Sequence, residues 1–539
     1  MSSSKALAFT GRAFVGPIAR LLSFIGRFPV LFFILPSIWF FARYLPFWKD
    51  VDVLNELVWP FTSDNLLLCP PVYPVIGRTV FWLTDIVTTG VAPDPLSPQH
   101  PSLLAVYALI TLQHLSLWVS LGYFVHAFQG NQVNRGFITL VLATVASFYS
   151  FAHTAGAEAT VAPTWFVVFG AGLRILSRRG NWLTWTIYSI ALFLSIGSRH
   201  VSAFLLTWLP VTAVLLAGAG RVGMKPVVGL GALVRIAIGS LAISVVAFAT
   251  EQMIVTQLCQ RFGVVQHRSL GRTLSDRIGS FLDTLPAAER SRVAAQAKKF
   301  SSDPDVANAI ESIQLIGPYH QGTEDVIAAR LRARGLSGQT LEVESDRIIL
   351  DAVTAYYRTL DPRLGLVIAR DIGRGFYPEN DFGIAMTGPK STDFSLPRIA
   401  ADPVAWQGID RLPLFHPDVA RATLERAYHD IWLRHWRWMP LGAWLLVFVA
   451  IGVWRSQRQI LPAVGWVLAT SMFGIGLVTY GATCACNYAM PRYAFPLLIG
   501  IFAAGGVLLG YREERNLHGA SVSKADATKD STPYAGHAS

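Results

Sequence analysis

"GAEATVAPTWFVVFGAGLRILSRRGN", residues 156–181, holds one acid near its start, then a long apolar run, then Arg174, Arg178 and Arg179. Read as a helix over 161–177, at 1.5 Å per residue, the run covers most of a hydrocarbon layer roughly 30 Å thick. Its basic end marks the cytoplasmic side, because Lys and Arg accumulate on inner loops. Glu158 is then left at the outer end. No other Asp or Glu occurs between Asp94 and Glu251, so the half-molecule around it otherwise excludes carboxylates.

The rest of the 539-residue chain extends this reading. It is 52% hydrophobic and 15% charged, with mean hydropathy +0.42, against about 25% charged in soluble proteins. The class is a polytopic helical membrane protein. A net charge of +11 would suggest nucleic acid in a soluble chain. Here inner loops account for it, and no basic, aromatic-interleaved patch indicates nucleic acid. The N-terminal stretch is basic and weakly amphipathic. It runs into an apolar span with no clean cleavage site, which reads as an uncleaved signal anchor.

Ten spans are expected, near 28–46, 102–127, 136–153, 161–177, 182–198, 201–219, 232–251, 438–454, 459–481 and 491–511. Segment 66–87 carries Pro70, Pro71, Pro74 and Arg78 and reads as an interfacial helix. Basic residues alternate with these crossings and put both termini in the cytoplasm. The expected parts are an N-terminal transmembrane module with its first outer loop (1–251), an extracytoplasmic helical insertion (252–437), a C-terminal transmembrane module (438–511) and a disordered cytoplasmic tail (512–539). No internal repeat is found.

Polar residues at span ends gather on the outer side. Glu158 complements the dipole of the following helix or is a functional acid. Asp64, after Ser63, caps an apolar helix or is a second acid. Arg199 and His200 occupy a tight outer turn where basic residues are disfavoured. They suit a phosphate, or snorkel to headgroups. Arg492 and Tyr493 begin a late span and read as a second phosphate contact or an interfacial anchor. Cys69, Cys259, Cys484 and Cys486 all fall outside, where disulfides are permitted. Four buried thiols are the other reading. No His/Cys ligand spacing demands a metal, although a divalent ion is compatible with the acids.

Four stretches resemble polytopic membrane glycosyltransferases of the GT-C type, including protein O-mannosyltransferases and the aminoarabinose transferases of lipid A. "TSDNLLLCPPVYPVIGR" is similar to their first outer loop. Residues 156–181 are similar to their outer-turn acid and basic inner turn, "ALFLSIGSRHVSAFLLTWLP" to their next hairpin, and "PRYAFPLLIGIF" to the start of a late helix. The resemblance implies a polyprenyl-phosphate sugar donor drawn from the membrane and a glycan, lipid or protein acceptor. It also implies outer-face chemistry at a bacterial inner membrane, with Asp64 as base or metal ligand and Glu158 as second acid. Two departures stand out: Asn65 follows Asp64 where many members pair acids, and the soluble portion lies between the seventh and eighth spans. A lipid or solute transporter and a catalytically silent scaffold are the alternatives.

Overall fold

The computed structural model describes residues 16–48, 57, 70–90, 101–128, 131–221, 229–266, 269–317, 320–376, 423, 426–427, 430, 440–487 and 491–512. Most of the expected insertion beyond 376 and of the expected C-terminal tail falls outside them. Among the described residues the fold is all-α apart from one pair of two-residue strands.

The N-terminal half contains α1 (Gly16–Arg27), α2 (Pro29–Arg43), β1 (Phe47–Trp48), α3 (Val72–Thr89), α4 (Leu103–Ala127), α5 (Gln132–Ala143), α6 (Ala146–Ala152), β2 (Thr154–Ala155), α7 (Val161–Leu176), α8 (Trp182–Ser198), α9 (Trp208–Arg221) and α10 (Leu230–Phe262). Then come α11 (Leu270–Asp283), α12 (Ala287–Lys298), α13 (Pro304–Ile316), α14 (His320–Ala333), α15 (Gly338–Arg358) and α16 (Pro362–Phe376). The chain ends with α17 (Leu441–Gln457), α18 (Ala463–Cys486) and α19 (Phe495–Gly510).

Among the described residues, five helical segments are long and apolar enough to cross a membrane: α4, Ala157–Leu176, His200–Gly220, α10 and α18. The bent pairs α1/α2 and α5/α6 raise the number to seven if each is one span. The span expected at 136–153 is therefore not a straight helix: α5 and α6 meet at 60°. No Pro or Gly causes this break. Thr144 sits at it and turns its hydroxyl back onto the Val141 carbonyl, 2.8 Å away, a local competitor for helix continuation.

One large core joins these helices. Every residue of α19 is buried. It approaches α18 closely because Gly476 and Gly500 face each other: a Cβ on Gly476 would stand 2.6 Å from the Pro496 carbonyl oxygen. Small residues at such crossings let backbones pack without a hydrophobic driving force. By contrast, α10 leaves Ile238, Leu241 and Val245 exposed and turns Ser240, Ser244 and Ala247 inward. That is the pattern of a helix bordering lipid. With 33 residues it is about 50 Å long, longer than a hydrocarbon layer is thick.

Helices α11–α16 form a second core around Ile278, Leu282, Ile310, Ile349 and Val353. Asp303 starts α13 by accepting from the Asp305 amide at 2.8 Å, and Arg334 holds the Asp305 carboxylate. This bundle is tied to the end of α18. The Tyr357 hydroxyl donates to the Ala485 carbonyl and the Tyr480 hydroxyl to the Asp371 carbonyl, each at 2.8 Å. Burial pushes the Tyr357 hydroxyl up to about 12, so it remains a donor. Arg277 pairs with Asp371 at 2.6 Å, with side chains 0% and 4% exposed.

Burying two charges costs several kcal/mol each, and their attraction repays that only while both are present. Asp371→Asn should strand the Arg277 charge and destabilise the bundle by about 3–5 kcal/mol, read as a lowered unfolding midpoint in detergent. The double substitution Arg277→Met with Asp371→Leu should recover most of the loss. Equal midpoints for wild type and Asp371→Asn would show that the pair does not hold the joint.

Candidate functional site

Glu158 lies on a single 3-10 turn, Ala157–Thr160, leading into α7. Its carboxylate is buried, 5% exposed, and pairs with the Arg199 guanidinium. Arg199 reaches it from the end of α8, where an extended backbone (φ −150°, ψ 125°) separates α8 from the 3-10 helix His200–Thr207. Trp165 of α7 donates its indole N–H to Ser202 at 3.3 Å, which holds that second helix against α7. Two residues 41 positions apart thus meet at the ends of different helices.

The turn before Glu158 is fixed from both sides. The Gly156 amide donates to the Tyr73 hydroxyl at 2.7 Å, and that hydroxyl donates to Gln113 Oε1 at 3.1 Å. The Gln113 amide nitrogen donates to the carbonyls of Ala152 and Thr154 at 3.0 and 2.8 Å. A backbone turn in dry surroundings has to have these groups met, because an unmet buried amide or carbonyl is expensive. β1 pairs with β2 in parallel, Phe47 opposite Thr154 and Trp48 opposite Ala155. β1 is therefore held beside the turn that carries Glu158. Leu57 is fully buried against Gly77 of α3.

A second polar chain lies next to it. The Tyr44 carbonyl stands 3.3 Å from His153 Nε2, so that nitrogen carries the proton. His153 Nδ1 then accepts from His114 Nε2 at 3.2 Å. His114 Nδ1 accepts from the Ser37 hydroxyl at 2.8 Å, and Ser37 accepts from the Trp118 indole at 2.7 Å. Together with the Phe47 amide, which donates to the His153 carbonyl at 2.9 Å, this chain clamps the α2–β1 connection onto α6.

Of the other candidates from the sequence, His200 is adjacent to Arg199 and exposed. Tyr493 packs partly buried against the main core. Two residues on, Phe495 lies against Phe151 with ring centroids 4.0 Å apart, which brings the start of α19 to the α6 end. The Arg492 side chain, Asp64 and Cys69 lie outside the described residues. Cys259, Cys484 and Cys486 are free thiols, so the expected disulfide does not form among these three. Cys484 and Cys486 are two apart on one helix and do not face each other, and Cys259 packs on α10 with Val255. Among the described residues no group of three or more His, Cys, Asp or Glu is placed to hold a metal ion.

Sequence reasoning missed Tyr73, Gln113 and the His114–His153 pair. It used Arg78 only to argue against a crossing. Arg78 is fully buried in α3, where burial pushes its guanidinium down to about 10 and leaves it charged at neutral pH. A charged residue within a largely apolar helix was the available signal.

Fold and site together define an all-α membrane protein with a carboxylate and a guanidinium paired where its helices end. The chain matches no protein-family profile, and no curated protein is significantly similar to it.

Tyr73→Phe keeps the ring and removes the hydroxyl, leaving the Gly156 amide and the Gln113 carbonyl unmet. It should cost about 1–3 kcal/mol and speed hydrogen exchange at Gly156 relative to amides in α19. Unchanged protection at Gly156 would show that another group holds the turn.

Proposed function

We propose that this protein is a membrane glycosyltransferase of the GT-C type. It moves a sugar from a polyprenyl-phosphate donor to an acceptor hydroxyl at the outer face, inverting the anomeric centre. The observation that supports this reading is the Glu158–Arg199 pair beside β1, where the first outer loop begins. An acid, a fixed cation and the strand that precedes the Asp64 segment then belong to one end of the helix assembly.

In this reading Asp64 takes the proton of the acceptor hydroxyl. The acceptor oxygen attacks the anomeric carbon, and the bond from that carbon to the phosphate oxygen breaks. Polyprenyl phosphate leaves with the electron pair. Arg199 offsets the charge developing on the phosphate, and Glu158 orients Arg199 and limits its movement. His200, Arg492 and Tyr493 complete the donor-phosphate contacts. A divalent metal at the acids is compatible with the reading and not required by it.

The proposed topology has ten crossings, both termini in the cytoplasm and α11–α16 outside a bacterial inner membrane. The ten crossings are assigned to the five long segments, the bent pair α5/α6, the shorter apolar helices α8, α17 and α19, and α2. A reporter fused at Leu336 should be active only outside the cytoplasm, and one at Arg179 only inside. A cytoplasmic signal at Leu336 reverses the assignment.

The same ion pair favours a second reading. A carboxylate already neutralised by Arg is a weak base, which suits a catalytically silent scaffold. Purified protein with radiolabelled lipid-linked sugar separates the two. Asp64→Asn should lower transfer by roughly 10²–10⁴-fold, the scale of general-base loss, and Arg199→Ala should impair donor use. Full activity in Asp64→Asn removes Asp64 from the mechanism. No transfer with any lipid-linked donor leaves the scaffold, or, if solute moves between compartments, a transporter.

A further inference from the structure

The N-terminal helix α1 is not used by the proposed reaction. It meets α2 at 85°, too sharp for the two to continue one straight crossing. Its faces are sorted into three. Leu22, Ser23, Ile25 and Gly26 turn toward the protein, partly or fully buried. There α1 crosses α5 at contact distance: a Cβ on Gly26 would collide with the Gln132 carbonyl oxygen, and one on Gly136 with that of Leu22. The Ser23 hydroxyl donates to Gln132 Oε1 at 2.7 Å across the same crossing. On a second face Ile18, Leu21 and Phe24 are 52%, 57% and 52% exposed, spaced at three-residue steps so that they form one stripe. Arg20 and Arg27, seven apart, share a third face between the other two, also exposed.

We propose that α1 lies in the plane of the bilayer surface, with the Ile18–Leu21–Phe24 stripe among acyl chains and Arg20 and Arg27 at anionic lipid headgroups. The occupant of the stripe is lipid because α2, the 15-residue apolar helix that follows, likewise leaves Leu31, Leu35 and Ile38 more than half exposed. The headgroups are anionic because Arg20 and Arg27 enter no ion pair with any carboxylate among the described residues. Arg27 instead leans over the Phe28 ring at 5.3 Å, with its charged end at the border of the apolar stripe. An apolar face flanked by Arg on a helix steeply inclined to its neighbour is the arrangement of an interfacial anchor. Basic residues at such a position are drawn to an anionic surface. The bend therefore turns the chain from the membrane plane into the membrane, and α1 is not the first half of a crossing.

The full-length protein in lipid nanodiscs provides the test. p-Acetylphenylalanine at position 18, 21 or 24, carrying a nitroxide, reports depth through its relative accessibility to oxygen and to a nickel chelate, without disturbing the native cysteines. A helix lying flat puts all three labels at one shallow depth, about 5–10 Å below the headgroups, and a label at position 20 in water. A crossing helix gives depths that step by about 1.5 Å per residue along the segment, and this would overturn the proposal. So would water-exposed values at all of positions 18, 21 and 24. Replacing phosphatidylcholine by phosphatidylglycerol should draw the stripe deeper in the native chain. It should have no such effect in Arg20→Gln/Arg27→Gln. Equal depth in both lipids for the native chain would overturn the headgroup assignment.

Discussion

A strip of backbone held away from water, residues 152–156, is the constraint on which this end of the membrane helices depends. Buried amides and carbonyls cannot be left unmet, so side chains from other helices have to meet them. Tyr73 of α3 and Gln113 of α4 do this for Ala152, Thr154 and Gly156, while β1 supplies a strand partner. Once these contacts are made, α3 and α4 are locked to the turn. β1 is held beside it, and Glu158 emerges two residues later facing the end of α8. Arg199 is the answer to a buried carboxylate placed there.

The helices of the membrane part were legible because apolar length is a strong signal and survives ignorance of packing. The meeting of Glu158 with Arg199 was half legible: each was recognised as an anomaly of charge against side, but nothing in the sequence says that two turns 41 residues apart touch. Tyr73 and Gln113 were not legible. One phenol and one amide in apolar helices disturb no period, and their partners are backbone groups that sequence does not distinguish. The α5–α6 break was hidden for a similar reason, since Thr144 is a common helix residue and its bond to Val141 is a matter of geometry alone. For the bundle, the sequence shows a helical insertion over 252–437, whereas its fastening to α18 rests on Arg277, Asp371, Tyr357 and Tyr480, whose partners only the packing reveals.

The buried histidines illustrate how hydrogen-bond direction decides between roles. Two imidazoles in contact inside a membrane protein suggest a metal pair or a proton path. In the chain from Trp118 to Tyr44 every inner member donates once and accepts once. The first group, an indole N–H, has no lone pair to receive a proton, and the last, a carbonyl, has no proton to pass on. The chain is closed at both ends. It holds position and conducts nothing, which fits its place at the root of the first loop.

The long helix α10 has a different kind of consequence. Its end at Gly263 is clasped by Gln339, whose amide donates to the Gly263 carbonyl at 2.7 Å and accepts from the Val265 amide at 3.0 Å. The bundle is thus keyed to a rotating shaft. Each residue added to or removed from α10 turns the bundle by about 100° and shifts it by about 1.5 Å along the axis. A one-residue insertion would swing Arg277 and Tyr357 away from the end of α18. Four residues, slightly more than a full turn, would restore the heading while raising the bundle by about 6 Å. The length of this helix is therefore a phase as well as a distance, and drift in its residue number is tolerated only in steps near a whole turn.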